Sequence, residues 1–319
     1  MTQISGDNAR YLNPPVVLSE IYRVMEPSLR ALEMIPKVDS GGQPIIYARE
    51  AGKSADAKKQ TPRTITPSGG FPEVGISRLT KSTAITSAEG LSVRIDSAAM
   101  RLPSGKSVVS DSLARIGYWM AEWLNTAVYA ALDAGSTDDG LAFAAQWSAA
   151  NATPIADLVR FKNSMITSGR PYRMTDIFID ELNFSELEQF LVGSEIAAYR
   201  EAAMNMPLMD QIALPIEGKP TVHRMIDGVT HGDLLGIDAR MAPQIASLYY
   251  HNDPTFGTPA TISFETVEAG KTVVKSVPNF GLNVHTYFED DTHDTIVQVW
   301  ADTVPVVKDA LGIRSGDSI

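Results

Sequence analysis

Five histidines, several of them close to carboxylates, are the first candidates for chemistry in this 319-residue sequence. The combinations are His231 with Asp233, His251 with Asp253, and His293 inside the acidic run 289–294. Such pairs can transfer protons, and converging carboxylates can bind Ca²⁺ or Mg²⁺. An acidic hairpin turn is more often only solvated. A cation site at 289–294 and a catalytic histidine therefore remain alternatives, and we predict no catalytic residue, metal or cofactor.

Three glycine-lysine fragments share part of the sequence pattern of phosphate-binding loops. Gly-Lys-Ser or Gly-Lys-Thr begins at Gly52, Gly105 and Gly270. A phosphate loop needs another glycine five positions earlier, and those positions hold Tyr47, Met100 and Glu265. The HExxH and GxSxG motifs are also absent. The sequence contains no cysteine, which excludes disulfides, thiolate catalysis and zinc–thiolate sites. These motifs do not indicate an enzyme.

Composition and charge narrow the class of protein. Hydrophobic residues make up 44% and charged residues 20%, the balance of a globular protein with a core. The formal net charge is −11, whereas a free-standing nucleic-acid binder normally presents a basic face. An acidic surface is nevertheless compatible with enclosing nucleic acid, because repulsion lets a packed polymer slide past the wall.

Membrane insertion and secretion are not indicated. The first 20 residues lack the charged start and apolar core of a signal peptide. The most apolar stretch, 108–132, carries Asp111, Arg115 and Glu122, so it predicts an amphipathic helix and not a membrane span. We expect a soluble protein made in the cytoplasm.

The segment 51–72, AGKSADAKKQTPRTITPSGGFP, is the stretch that says most about how the chain associates with other molecules. Its sizeable apolar side chains are Ile65 and Phe71. Such a segment cannot bury enough surface to offset an ordering entropy of about 1–2 kcal/mol per residue. Loops beyond about 12–15 residues are uncommon in compact domains and are usually functional or disordered. We therefore predict that a neighbouring molecule stabilises this segment.

The charge of this segment agrees with that prediction. Lys53, Lys58, Lys59 and Arg63 against Asp56 give it a net charge of +3, which leaves −14 for the rest of the chain. A basic arm on an acidic body is complementary to a second copy of that body. The alternative is an ordinary solvated loop.

A long amphipathic helix is predicted over 108–132, capped by Ser110 or Asp111 and ending before Gly135. Its apolar face is expected to comprise Leu113, Ile116, Met120, Trp123 or Leu124, Ala127 and Ala131. Trp119 and Trp123 lie one turn apart. We assign them to core packing, with a ligand-binding aromatic box as the alternative.

The chain before this helix is predicted to contain an arm, a helix and strands. Asn13-Pro14-Pro15 favours an extended arm over 1–16. A helix is expected over 17–34, bent at Pro27, and a short strand over 43–49. Residues 91–97 alternate, with Leu91, Val93 and Ile95 on one face, which predicts a half-buried strand.

The remaining chain is predicted to be mixed. Helices are expected at 154–168, from Asn183 or Ser185 onward, and at 195–204, with strands at 176–179 and 234–237 and a mixed stretch at 242–250. Late strands are expected at 262–267, 272–277, 282–288 and 295–300, followed by a helix at 306–311 that ends at Gly312.

This order of elements resembles the HK97-like fold of tailed-virus major capsid proteins, an α+β fold. The stretches ARYLNPPVVLSEIYRVMEP and TDIFIDELNFSELEQF resemble segments of such proteins. The resemblance implies an N-terminal arm and helix at 1–35 and an extended E-loop region at 36–90. It implies a P-domain at 91–135 and 261–300, with its spine helix at 108–132, and an A-domain at 136–260 and 301–319.

The resemblance also implies a function. The subunit would assemble in the host cytoplasm into pentamers and hexamers that close into an icosahedral shell around double-stranded DNA, without sequence-specific binding. A separate scaffolding protein, a portal and a decoration protein would be its partners, with no membrane involved. Inter-subunit contacts would include Lys53, Lys58, Lys59, Arg63, Ile65 and Phe71 of the E-loop and Arg10 and Tyr11 of the N-terminal arm.

Three other interpretations of the sequence remain open. A nanocompartment shell of the encapsulin type would share the fold and enclose a cargo protein. A cytoplasmic α/β enzyme would use an acid and a histidine. A tail or adaptor component of the same virus would form rings or tubes.

Overall fold

A computed structural model describes residues 13–50, 79–96, 105–138, 147–149, 152–166, 172–204, 211–225, 233–253, 255, 259–268, 271–289 and 294–316. The helices in these residues are α1 (Pro14–Met25), α2 (Ala31–Met34), α3 (Gly105–Ala134), α4 (Pro154–Ile166), α5 (Glu181–Gly193), α6 (Ala197–Met204) and α7 (Ala242–Ile245). Short 3₁₀ turns occupy Glu26–Ser28, Ala239–Met241 and Ala310–Gly312. None of the described helices is both long enough and apolar enough to cross a membrane.

The strands follow the same chain order. They are β1 (Lys37–Asp39), β2 (Ile45–Glu50), β3 (Leu79–Ala84), β4 (Ser87–Asp96), β5 (Thr137–Asp138), β6 (Asp176–Asp180), β7 (Gln211–Ala213), β8 (Thr221–Met225), β9 (Leu234–Ile237), β10 (Ala246–Tyr250), β11 (Thr261–Glu268), β12 (Lys271–Pro278), β13 (Leu282–Glu289), β14 (Asp294–Val307) and β15 (Ile313–Gly316). β2 and β3 form a two-stranded sheet.

The chain divides into two compact units. Unit 1 comprises the described parts of Met1–Ile45, Thr83–Tyr129 and Leu248–Val306, and unit 2 those of Ile46–Ser82, Ala130–Ser247 and Val307–Ile319. Each unit is therefore assembled from segments that are distant in sequence.

A five-stranded sheet organises unit 1. Its order is β1-β10-β14-β13, and β4 also pairs with β14. β4 and β13 both run antiparallel to β14. Val284, Val297 and Val299 on these strands are buried, as expected for a sheet with one face on the core.

Helix α1 packs on β11 and β13 in unit 1. It buries Val17, Leu18, Ile21 and Met25, which recur at the three- to four-residue spacing of one helix face. Tyr22, from the same helix, contacts the Phe264 and Phe280 rings with centroid distances of 5.3 and 5.5 Å. This helix therefore belongs to the core of the unit.

Unit 2 contains a six-stranded sheet of order β5-β15-β9-β6-β8-β7. The central strands β6 and β9 are almost completely buried. Helices α4 and α5 pack on this sheet and bury Phe161 and Leu187. The C-terminal strand β15 pairs antiparallel with β9 and parallel with β5.

Two expected helix starts are wrong. Helix α1 begins at Pro14, whereas the sequence predicted an extended arm to residue 16. Proline is well suited to the first helical turn, because its missing N–H would have no partner there. The long helix α3 begins at Gly105, several residues before the predicted caps, and continues past Leu132 to Ala134.

The start of α5 was also misplaced. The Asp180 side chain accepts hydrogen bonds from the backbone N–H groups of Leu182 and Asn183, at 2.8 and 3.2 Å. The helix therefore begins at Glu181 and not at the capping boxes predicted for Asn183 or Ser185. Asp180 also ends β6, so the strand leads directly into the helix.

The expected C-terminal helix at 306–311 is wrong. β14 continues to Val307, and a 3₁₀ turn at Ala310–Gly312 then leads into β15. β11 and β12 pair with each other in a separate two-stranded sheet, apart from the five-stranded sheet that contains β4. β14 and β15 pair with the sequence-remote strands β4 and β9, whereas β11 and β12 are consecutive strands that pair with each other as a hairpin.

Candidate functional site

An open groove of about 770 Å³ lies between β4 and the middle of α3, within unit 1. It is lined by Glu89, Gly90, Leu91, Trp119, Met120, Glu122, Trp123 and Thr126. β4 is held in place by its antiparallel pairing with β14, in which Gly90 is opposite Trp300. We call this surface the tryptophan groove.

The wall of the groove formed by α3 presents one exposed and one partly buried indole ring. Trp119 is 51% exposed, so its predicted role in core packing is wrong. Trp123 is partly buried, and its indole Nε1–H donates to the Glu89 carboxylate at 2.8 Å. Leu91, expected on the buried face of its strand, is 39% exposed and lines the same groove.

The chemistry of the groove suits a polypeptide ligand. Indole rings offer a large apolar surface and also attract cations over their faces. Glu89 and Glu122 add negative charge to the lining. The arrangement therefore fits a segment that carries both apolar side chains and cations.

The contact residues predicted from the sequence lie outside the described residues. They are Arg10 and Tyr11 in the arm, and Lys53, Lys58, Lys59, Arg63, Ile65 and Phe71 in the loop. His231 and His293 also lie outside them, as does the turn at 290–293. These residues remain predictions.

Of the acid–histidine pairs noted in the sequence, His251 and Asp253 both lie within the described residues. The Asp253 carboxylate accepts from the backbone N–H of Thr255 at 2.8 Å, and hydrogen bonds from Thr255 lower the pKa of Asp253. Within the described part of the chain, no group of three or more histidine, cysteine, aspartate or glutamate side chains is arranged to hold a metal ion.

A second acid–histidine pair, which the sequence analysis missed, lies in unit 2. His223 Nε2 is 2.7 Å from Asp176 Oδ1, and the His223 ring stacks on Phe178 with a centroid distance of 4.7 Å. The Thr175 hydroxyl also donates to the Asp176 carboxylate. Burial alone would raise the pKa of Asp176, but hydrogen bonds from His223 and Thr175 outweigh it and lower the pKa.

The parallel pairing of β6 and β8 creates this pair, because it places Phe178 opposite His223. Asp176 and His223 are 47 positions apart in sequence, and nothing in the local pattern around either one indicates the pairing. Both side chains are largely buried, and Asp176 is held by two donors. The pair therefore has the features of a structural hydrogen bond inside the sheet.

Comparisons with known proteins give similarity in structure. No protein family and no curated protein matches the sequence. A virus-like particle from Pyrococcus furiosus superposes with a TM-score of 0.54 and 7% identity, covering 95% of this chain and 98% of that chain. The mature capsid of bacteriophage PhiM1 gives a TM-score of 0.53 at 9% identity, covering 90% and 86%. The capsid of the native GTA particle gives 0.52 at 11% identity, covering 90% and 88%.

Structural similarity at 7–11% sequence identity shows that these proteins share a fold over nearly the whole chain. The alignments cover at least 90% of this chain and at least 86% of each of the other three chains.

Proposed function

The chain has the HK97-like α+β fold of viral capsid proteins, and on this basis we propose that it is a major capsid protein. The observation that carries the proposal is the coverage of at least 86% of each of three shell-forming chains. A fold alone does not define a function. The proposal therefore also depends on surfaces suited to self-association.

The proposed role is structural and not enzymatic. Copies of the chain would form pentamers and hexamers that close into a shell around double-stranded DNA. Ring closure requires heterologous contacts, in which one patch binds a different patch on the next copy. A partly exposed apolar groove such as that around Trp119 provides one such patch.

We propose that the segment 51–72 of one copy binds the tryptophan groove of a neighbour. The segment has a net charge of +3 and includes Ile65 and Phe71. The groove offers the carboxylates of Glu89 and Glu122 beside indole surface. The apolar side chains of the segment would pack on the indole rings of the groove, and its cations would lie beside the carboxylates.

The N-terminal arm would add a second contact through Arg10 and Tyr11. A separate scaffolding protein, a portal and a decoration protein would be the other partners, and the mature location would be the virion. These partners are supported by the resemblance of the fold to capsid proteins and not by particular residues of this chain.

The test is to purify the full chain and image it by negative-stain electron microscopy. We expect closed shells for the wild type, or shells after addition of a scaffolding protein. Deletion of 53–70 is expected to leave a folded subunit that no longer assembles. The charge-reversed variant Lys58→Glu/Lys59→Glu should show the same loss without shortening the chain.

Lys219→Glu is the matched control, because Lys219 is exposed in unit 2 and does not line the tryptophan groove. It should assemble like the wild type. Normal shells from the deletion variant would show that the segment assignment is wrong. A monodisperse small oligomer of the wild-type chain under all conditions, including with scaffold, would contradict the capsid proposal.

A shell that encloses something other than a genome is the second candidate. The structure from Pyrococcus furiosus, which covers 95% of this chain, is described as a virus-like particle. The nucleic-acid and protein content of purified native shells distinguishes the two candidates. Double-stranded DNA favours the capsid, and a protein cargo favours the compartment.

A further inference from the structure

We propose that unit 2 carries a binding site for a phosphate group, formed by Lys162, Arg173 and Arg240. The site lies in a pocket of about 160 Å³, lined by Lys162, Asn163, Ile166, Arg173, Met174, Thr175, Glu217, Gly218 and Arg240. The proposal does not depend on the capsid assignment, because every observation behind it lies within this one unit.

Lys162, on α4, provides the first observation. Its side chain lines the pocket although the residue is only 9% exposed. Its ammonium donates to the backbone carbonyl of Glu217 at 2.5 Å, and it makes no ion pair within the described residues. A buried charge is costly unless an opposite charge compensates it. An anion in the pocket would supply that compensation.

Arg240 is already oriented towards such a ligand. Its Nε and Nη2 groups donate to the two oxygens of Asp238, at 3.0 and 2.9 Å. Asp238 is completely buried and also accepts from the backbone N–H of Arg173 at 2.9 Å. The arginine side chain, 59% exposed, is thus held at the pocket with further N–H donors available.

Arg173 completes the cationic set. Its side chain is exposed, lines the pocket, and has no hydrogen bond or ion pair within the described part of the chain. The Arg240 charge is balanced by Asp238, and among the described lining residues Glu217, which is exposed, is the one carboxylate beside Lys162 and Arg173. The pocket is therefore net positive in a chain whose formal net charge is −11.

The donors favour phosphate over a carboxylate. An ammonium offers three N–H donors and a guanidinium five in a planar fork. Within the described part of the chain, Lys162 uses one of its donors and the Arg240 side chain uses two. A carboxylate presents two oxygens, whereas a phosphate group presents three or more in different directions. Arginine forks and lysine point charges are both common phosphate ligands.

The first experiment is isothermal titration calorimetry of the wild-type chain with inorganic phosphate. A parallel fluorescence-anisotropy titration with a short DNA duplex shows whether the phosphate can belong to a nucleic-acid backbone. We expect saturable binding of at least one probe. Binding of phosphate alone assigns a free-anion site, and binding of duplex assigns a backbone contact.

The variants Arg173→Gln and Lys162→Met should each weaken that binding about tenfold or more, since each removes charge-assisted hydrogen bonds. Arg173 is exposed, so its variant tests the site even if Lys162→Met impairs folding. Arg160→Gln is the matched control: Arg160 is on the same helix, about 200° around its axis from Lys162, and does not line the pocket. Its binding should be unchanged.

Three results would overturn the proposal. The first is absence of saturable binding of either probe to the folded wild-type chain. The second is an equal loss of binding in Arg160→Gln, which would indicate non-specific electrostatics. The third is that the wild-type chain binds neither probe while Arg173→Gln fails to assemble. This result would mean that the cations contact an acidic side chain of another copy and not a phosphate.

Discussion

Trp123 donates its indole N–H to the Glu89 carboxylate over 2.8 Å, joining the middle of α3 to the outer strand β4. The two residues are 34 positions apart in sequence. The bond holds one indole of the tryptophan groove in a fixed orientation, while the neighbouring Trp119 is 51% exposed. An ordered aromatic surface is suited to binding a partner, because little side-chain freedom remains to be lost.

Trp119→Glu is expected to prevent shell assembly and leave the subunit folded. Trp119 is half exposed, so the subunit should lose about 1–2 kcal/mol of stability and still fold. A buried interface tryptophan contributes about 2 kcal/mol or more, which is over tenfold in each contact. Size-exclusion chromatography with negative-stain imaging measures assembly, and urea unfolding measures stability.

Tyr118→Glu is the control for this variant. Tyr118 is 44% exposed on the same helix and does not line the groove. It should assemble as the wild type does. If Trp119→Glu forms normal shells, the tryptophan groove is not part of the assembly interface.

Gly90→Ala is expected to destabilise unit 1 by about 1–3 kcal/mol. A Cβ at this position would overlap the Val299 carbonyl oxygen and lie 2.5 Å from the Trp300 Cβ, in the partner strand of the sheet. Backbone atoms cannot yield as a flexible side chain does, so the pairing of β4 with β14 must shift. Urea unfolding followed by tryptophan fluorescence should show a lower midpoint.

Gly193→Ala provides the comparison for this substitution. A Cβ at Gly193 would meet nothing within 4 Å, so stability should change by less than about 0.5 kcal/mol. Equal effects of the two variants would mean that the close approach at Gly90 is not a constraint.

Asp176→Asn is expected to lose stability at neutral pH but much less in acid. The pKa of Asp176 is lowered in the folded protein, so its ionised form stabilises the fold above the unfolded pKa of about 3.9. That contribution disappears as the pH falls through the folded pKa. In urea midpoints measured from pH 7 to pH 3, the gap between wild type and variant should therefore begin to narrow below about pH 4.

Asp111→Asn is the reference for general charge effects, because Asp111 is exposed on α3. Its difference from the wild type should be small at every pH. A constant gap between wild type and Asp176→Asn down to pH 3 would contradict the assigned direction of the pKa shift.

Asp180→Ala is expected to cost about 1–2 kcal/mol of stability, towards the upper end of the range for a helix cap. The carboxylate accepts from two backbone N–H groups of α5 and from the Asn183 side chain, and Asp180 is only 6% exposed. Asp180→Ser should recover part of the loss, since serine also caps helices. Thermal unfolding measures both variants, and no recovery with serine would mean that the carboxylate acts through another contact.

Local periodicity was sufficient for most elements. The long helix, the strand at β4 and the late strands were all predicted near their observed positions, because burial of one face imposes a repeat that can be read from neighbouring residues. Boundaries that depend on single residues were less reliable. Helix α3 begins at Gly105, whereas its cap was predicted at Ser110 or Asp111, and Pro14 opens α1 where an extended arm was expected.

Sequence by itself determined the class of this protein: an acidic α+β chain with a long amphipathic helix and a basic, apolar-poor segment at 51–72. These properties are sums or local patterns along one chain, so they do not require knowledge of what folds against what. Tertiary structure alone decided that Trp119 faces outward, that Asp176 meets His223, and that Lys162 shares a pocket with Arg173 and Arg240. Exposure and proximity depend on pairings between distant segments, such as β4 with β14 and β6 with β8, and no local repeat encodes those pairings.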